Sequence, residues 1–451
     1  MSSGIATKDS QIGKQAIVIG AGISGLAAAR ALADHFDQVV VLESDQLPDL
    51  ATPRPGAPQG KQVHGLLGGA IKALEELFPD FAGDLTRAGA VPINPGSEIL
   101  QEMPGMDQFP LCKWDWCIYA LTRPLIEQTL RRRVEQHTNI SLRGGCRALD
   151  IMGISDELLV TGVRYDTGNG VEFLPADLVV DASRHGGLTM SFLQAAGLPA
   201  PEETTIGIDI RYGTALYALP DDAMGQFKAI VTFAKAPHGV HSAYLIPVED
   251  NCYQLLLVGR GDDAPPADGD EFLAYTQKLP TRSVYNAMKG AKRLSEVARF
   301  GFPESRWRHF AQLNPFPQNL LSIGDAICCL NPIYGQGITV AVQEANILRR
   351  LLSTSAAEAQ PLAQFLTKAE ALIKEPWAMS AVPDFIYPQT RGERPVDLEQ
   401  RLNSQLALTR IATRDPAVWK LMSEVRHLLR PLAALEEPGL VRRVEAEMAT
   451  V

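Results

Sequence analysis

The chain has 451 residues, enough for about two to four domains and a large buried core. Hydrophobic residues make up 46% and charged residues 21%, which excludes a disordered or fibrous chain. Forty-two Lys and Arg against 52 Asp and Glu leave a net charge of −10, which excludes general binding of nucleic acid or anionic lipid outside a local basic patch.

The first fifteen residues are small and polar, without the basic region and apolar run of a secretory signal. The longest apolar stretch, Ala16 to Ala33, is interrupted by glycines and Arg30 and reads as a strand plus a helix, not a membrane span. A cytoplasmic location is expected, with Cys112, Cys117, Cys146, Cys252, Cys328 and Cys329 as free thiols and no metal site. Ala16-Ile17-Val18-Ile19 predicts a buried strand, Leu26 to Phe36 a helix, and Gln38 to Leu42 a second strand ending in Glu43. Between the first two lies Gly20-Ala21-Gly22-Ile23-Ser24-Gly25, the dinucleotide fingerprint in its strand–turn–helix–strand setting. Gly20 serves the tight turn, Gly22 the close approach to a pyrophosphate and Gly25 the packing of helix on strand. Amide donors and the dipole at the helix start favour phosphate, and Glu43 stands where a ribose hydroxyl acceptor is expected.

Further along, Pro53 to Gln59 and His64 form a loop rich in turn residues, and Trp114-Asp115-Trp116 reads as alternating positions of a strand. Leu121-Thr122-Arg123-Pro124-Leu125 precedes a helix ending in Arg131, Arg132 and Arg133. Strand-like runs cover Gly207 to Tyr217, Ala229 to Ala234, Ser242 to Pro247 and Tyr253 to Gly259, with a helix near Asp270 to Lys278. Leu320 to Ile323 predicts a strand running into Gly324-Asp325-Ala326; Asn331-Pro332-Ile333-Tyr334-Gly335-Gln336-Gly337 follows, and a helix starts at Ile338. The C-terminal hundred residues read as helices over Leu402 to Thr413, Ala417 to Leu429 and Val441 to Ala449, with Asp415-Pro416 starting one of them. They serve either as a cover over a tunnel or as an added packing layer.

Gly324-Asp325-Ala326 with Pro332-x-x-Gly335-Gln336-Gly337 resembles the second FAD fingerprint of flavoprotein monooxygenases of the para-hydroxybenzoate hydroxylase superfamily. The segment Pro53 to Gln59 with His64, the Leu121 to Leu125 stretch, Pro247-Val248-Glu249-Asp250 and Asp384-Phe385-Ile386-Tyr387-Pro388 are together similar to bacterial epoxidases of polyether biosynthesis, relatives of squalene epoxidase. The resemblance covers nearly the whole chain. It implies an α/β fold: a Rossmann-type, glutathione-reductase-like FAD-binding domain (14–74, 118–192 and 296–352), an inserted mixed β-sheet substrate domain (75–117 and 193–295) and a helical C-terminal region (353–451). It assigns FAD contacts to Gly20, Gly22, Ser24, Gly25, Glu43, Arg54, Arg123, Asp325, Pro332, Gly335, Gln336 and Gly337. A guanidinium suits a pyrophosphate or flavin oxygen, although Arg54 and His64 fit loop and helix-start capping equally well.

The reaction so implied inserts one oxygen atom from dioxygen, through a C4a-hydroperoxyflavin, into a hydrophobic natural product, with alkene epoxidation as the expected outcome. No catalytic dyad or Gly-x-Ser-x-Gly elbow is present, and epoxidation needs no side-chain base. Aromatic hydroxylation of a phenol or quinolone would use a base, for which His64, Tyr212 and His241 are the weak candidates. A reductase or dehydrogenase of an isoprenoid is a further alternative. So is a halogenase, since Trp114-Asp115-Trp116-Cys117-Ile118-Tyr119 resembles part of the halogenase W-x-W-x-I-P sequence but lacks its proline. Asp181-Ala182 stands where aromatic hydroxylases of the superfamily carry Asp-Gly, a motif tied to NAD(P)H as well as FAD. Reduction by NAD(P)H directly or through a separate flavin reductase therefore both stay open.

Overall fold

The structure is a computed structural model describing residues 12–354 and 361–449. β1 (Gly13–Ile19), α1 (Ile23–Ala33) and β2 (Phe36–Leu42) open the chain, with β1 and β2 parallel and Val18 beside Val41. Phe36, expected at the end of the helix, begins β2 because the turn at Asp34–His35 comes earlier. β1 also pairs in parallel with Leu178–Asp181, and the five-stranded parallel sheet runs in the order 320–322, 178–181, 13–19, 36–42, 140–143.

Side chains alternate across this sheet, as the pleat requires. Ala16, Val18, Val39 and Val41 face a layer containing α1, the Gly68–Leu77 and Arg123–Val134 helices and the Gly337–Thr354 helix. Ile17, Ile19, Val40 and Leu42 face a three-stranded meander of Arg147–Ile154, Leu159–Asp166 and Val171–Pro175. Both faces are covered, so β1 and β2 read as continuous apolar runs. Each buried Ile or Leu contributes about 1.5–3 kcal/mol.

A second, eight-stranded sheet has at its centre the long Glu203–Ala218 strand, flanked by Ala298–Arg308 and Cys252–Arg260. Ser242–Val248, Ala229–Thr232 and Ile99–Glu102 continue it outward. One face, with Ala215, Tyr217, Leu255 and Leu257, is covered by Phe272 and Tyr275 of the Gly269–Tyr275 helix. The opposite face, with Tyr212, Leu256, Val258 and Phe302, looks towards the cavity described below.

Two expectations need correction. Of residues 75–117, Ile99–Glu102 joins the second sheet, but Leu77, Phe78, Phe81 and Leu85 pack in the core of the dinucleotide-binding side, because the helices there present their apolar faces to α1 and the Arg123–Val134 helix. Trp114 and Trp116 are not on a strand. They lie in a loop ahead of the Ile118–Thr122 strand and stack on each other with ring centroids 5.1 Å apart. Trp114 packs on Trp419 and Trp116 on His427 of the C-terminal region. That region comprises the Pro361–Asp384, Leu398–Arg414, Pro416–Arg426 and Pro438–Met448 helices. Asp415 starts the third of them, its carboxylate accepting from the Ala417 and Val418 amides. No helix among the described residues is long and apolar enough to cross a membrane.

Candidate functional site

The first fingerprint lies at the C-terminal edge of β1, where open α/β sheets place ligands. Gly20 has a φ of +102°, and a Cβ on Gly25 would come 1.9 Å from the Gly20 carbonyl oxygen. Both positions therefore require glycine. Gly22, by contrast, has nothing within 4 Å of where a Cβ would stand, so the turn is open towards the cavity. No side chain caps the start of α1, leaving its first amides free for an anion. Glu43 is buried; its carboxylate accepts from the Ala21 amide at 2.8 Å and meets Arg54 at 3.2 Å. Arg54 is buried too and is shared among Glu43, Asp45 and Glu127. Arg123 donates to Glu127 at 2.9 Å.

The second fingerprint folds onto the first. A Cβ on Gly324 would lie 2.8 Å from the Cβ of Ser24, which puts the Gly324–Ala326 turn against the start of α1. Asp325 lines the cavity with no hydrogen bond to its carboxylate among the described residues. Burial pushes its pKa up, opposed by Arg123, Arg184 and Arg306. Glu344, from the Gly337–Thr354 helix, accepts from the Gly324 amide at 2.6 Å; burial raises its pKa to about 8. Pro332–Tyr334 form a short 3-10 turn closed by Gly335 at a φ of +68°. Gln336 donates to the Arg426 carbonyl at 3.1 Å, while its buried Oε1 has no partner.

Two segments of the family pattern hold these loops in place. Glu249 accepts from the Thr122 amide at 2.9 Å and from the Thr122 hydroxyl, fixing the start of the helix that carries Arg123. Asp384 accepts from Asn331 at 2.9 Å and from Arg260 at 3.0 Å, and Asn331 in turn accepts from the Ile333 amide. Asp181 is fully buried and accepts from the amides and hydroxyls of Ser183 and Thr189, so it organises the turn into the Gly187–Ala195 helix.

None of the candidate bases is poised to take a proton. His64 has Nδ1 2.9 Å from the Gln62 carbonyl, which can only accept, so Nδ1 carries the hydrogen. Burial, aided by nearby Arg123, lowers the His64 pKa to about 3. Burial raises Tyr212 well above its ordinary range, and its hydroxyl has no partner. His241 meets Asp263 at 2.5 Å and does not line the cavity.

Of the twelve positions that the resemblance assigns to FAD, eleven line one cavity, namely Gly20, Gly22, Ser24, Glu43, Arg54, Arg123, Asp325, Pro332, Gly335, Gln336 and Gly337, and Gly25 lies behind them. Its volume is about 1640 Å³, above the roughly 300–1,000 Å³ of ordinary small-molecule pockets. It continues from both fingerprints past Tyr212, Leu256 and Phe302 to an apolar wall of Leu406, Met422, Val425 and Val444. The C-terminal helices thus line the cavity and are not merely a packing layer. Sequence periodicity gave no sign of Arg426 or of the Gln336 contact that ties it to the second fingerprint. Trp114 and Trp116 do not line the cavity.

These residues fit FAD. The uncapped helix start, the open face at Gly22, the unbonded Asp325 carboxylate and the orphaned Oε1 atoms of Gln59 and Gln336 all surround one cavity.

No protein-family model matches the chain. It is 33% identical over 404 residues to Protein Rv3254 of Mycobacterium tuberculosis, spanning 84% of this chain and 81% of the relative. It is 23% identical over 350 residues to Squalene epoxidase 4 of Arabidopsis thaliana, spanning 74% of this chain and 61% of that protein. Among solved structures, the flavin-dependent brominase Bmp2 superimposes with a TM-score of 0.62 at 17% identity, over 87% of this chain and 92% of the brominase. The p-nitrophenol 4-monooxygenase PnpA of Pseudomonas putida superimposes with a TM-score of 0.62 at 16% identity, over 92% of this chain and 98% of that one. The chain thus belongs to one family with Protein Rv3254, and it shares its fold with flavin-dependent enzymes whose structures are solved.

Proposed function

We propose that the chain catalyses FAD-dependent transfer of one oxygen atom from dioxygen to a carbon–carbon double bond of a hydrophobic small molecule, an epoxidation. Bound and reduced, FAD supplies an electrophilic oxygen atom from dioxygen. The observation carrying this reading is a mainly apolar cavity next to both fingerprints in which the two candidate bases are not poised to act: His64 is held neutral and Tyr212 protonated. Epoxidation needs orientation and exclusion of water, which such walls provide, whereas phenol hydroxylation gains from a base. Similarity to a protein named as a squalene epoxidase supports the same reading.

In this reading the free amides after Gly22, at the start of α1, bind the pyrophosphate. Glu43 and Arg54, each braced by the other, shape the nucleotide end, and Arg123 faces the cofactor from its helix start. Asp325, which lines the cavity, would accept from hydroxyls of the ribityl chain. The amide donors of the Gly335–Gly337 backbone, which lines the cavity after the Pro332–Tyr334 turn, would stabilise negative charge on the flavin. His64 and Tyr212 pack and orient. Electrons come from NAD(P)H, directly or through a separate flavin reductase. Stopped-flow reduction with each nucleotide, with and without a reductase, tells the two routes apart.

The test is turnover of linear polyenes under labelled dioxygen with reduced flavin. One labelled oxygen per epoxide is expected. A product without label would move the chain to the reductase or dehydrogenase class, and label entering the ring of a phenol offered in a parallel assay, with none in the polyene, would make it a hydroxylase. Halogenation has weaker support, because Trp114 and Trp116 pack against the C-terminal helices and do not line the cavity.

A further inference from the structure

Five of the seven arginines lining the cavity have a carboxylate within ion-pair distance: Arg54, Arg123, Arg147, Arg260 and Arg401. Arg184 and Arg426 have none among the described residues. Arg184 stands on the fingerprint side, close enough to lower the pKa of Asp325. Arg426 is different. It ends the Pro416–Arg426 helix, and its guanidinium reaches across the cavity to within 5.9 Å of the Phe233 ring, just beyond the Ala229–Thr232 strand.

An arginine in the last turn of a helix often serves the helix dipole. Such a side chain lies along its own helix end; this one spans to another element. The groups facing it are the neutral phenols of Tyr244 and Tyr334, whose pKa values burial holds high, and neighbouring His427, which burial holds neutral at a pKa of about 3. Burial pushes Arg426 itself below its ordinary range. A desolvated cation with no counter-ion is costly, and a partner that brings the missing charge recovers that cost.

We propose that Arg426 anchors the carboxylate of the substrate, which is therefore a long apolar molecule carrying a carboxylic acid. This rests on the reading above that the cavity holds the substrate. A planar guanidinium pairs with one carboxylate in a two-pronged bond. Gln336 donates to the Arg426 carbonyl at 3.1 Å, so the anchor is tied to the second fingerprint and the acid group to a fixed place relative to it. The apolar wall of Leu406, Met422, Val425 and Val444 would take the chain.

The probes are laurate and methyl laurate, titrated calorimetrically into FAD-loaded full-length protein, with FAD content measured alongside. Wild type should prefer laurate by about 30-fold or more, the usual scale for a desolvated charge pair. Arg426→Met should abolish that preference while retaining its FAD, and Arg426→Lys should keep part of it. Equal or tighter binding of the ester by wild type, or no laurate binding, overturns the proposal without any variant. So does an Arg426→Met protein that keeps the preference, or one that folds but loses FAD, which would assign the arginine to the cofactor. Calorimetry is independent of oxygen transfer, so a failed labelling experiment leaves the anchor standing and a failed titration leaves the epoxidation reading standing.

Discussion

Asp325 is a carboxylate brought into a low-dielectric cavity without a hydrogen-bond donor from the chain, a costly arrangement unless a ligand supplies one. Asp325→Ala should weaken FAD binding by about 10- to 100-fold, the worth of one hydrogen bond to a charged acceptor. An unchanged Kd in a fluorescence titration with FAD would remove Asp325 from the cofactor site. Glu344 is shifted in the opposite direction from a carboxylate held by a cation. Burial raises its pKa from 4.5 to about 8, so the folded state binds a proton that the unfolded state releases between those values. Stability from this group is present below about 4.5 and falls as pH rises through 8. Glu344→Gln keeps an acceptor for the Gly324 amide without the titration. The Tm of the variant relative to wild type should therefore climb between about pH 5 and pH 9; a constant difference across that range contradicts the assignment. His64 and His427 have the opposite sign. With folded pKa values of about 3 they favour the native state fully above 6.5 and lose that contribution as pH falls towards 3.

At the scale of elements, the cap at Asp415 sets where the Pro416–Arg426 helix starts, and so where Arg426 ends up. Asp415→Ala removes two accepted amide bonds and a 2.8 Å pair with Arg443, and should cost about 1 kcal/mol in denaturant unfolding. A loss indistinguishable from zero would mean that the proline at the first helical position suffices. The β1–α1–β2 unit was legible in the sequence because its signals are local: glycine spacing, a β-branched run and an alanine-rich helix. The turn at Asp415 was legible for the same reason. Trp114 and Trp116 misled because two tryptophans at i and i+2 satisfy strand alternation equally well when they are a loop pair stacked on another element. The helices near Phe78 and Phe81 were set on the substrate side because their apolar residues do not say which of two cores they enter.

Across the whole molecule, the parallel sheet takes strands from residues 13–19, 36–42, 140–143, 178–181 and 320–322, so residues three hundred apart in sequence meet at Ser24 and Gly324. The paired fingerprints made that meeting legible, since neither glycine-rich turn serves a dinucleotide alone. Arg426 was not legible: its place depends on the C-terminal helices folding back over the second sheet, and on Gln336 reaching an Arg426 carbonyl ninety positions later in the chain. A chain of net charge −10 can bind a dianionic cofactor because free amides, helix starts and a few arginines act locally within about a Debye length. The division into an interleaved FAD-binding part, a sheet-built substrate part and a helical C-terminal part is proposed on the same ground. The most direct test of the central claim is to denature the purified full-length protein and identify what it releases. Stoichiometric FAD, with the yellow colour lost from the protein fraction, is the expected result. A colourless protein that takes up no FAD on reconstitution would contradict it.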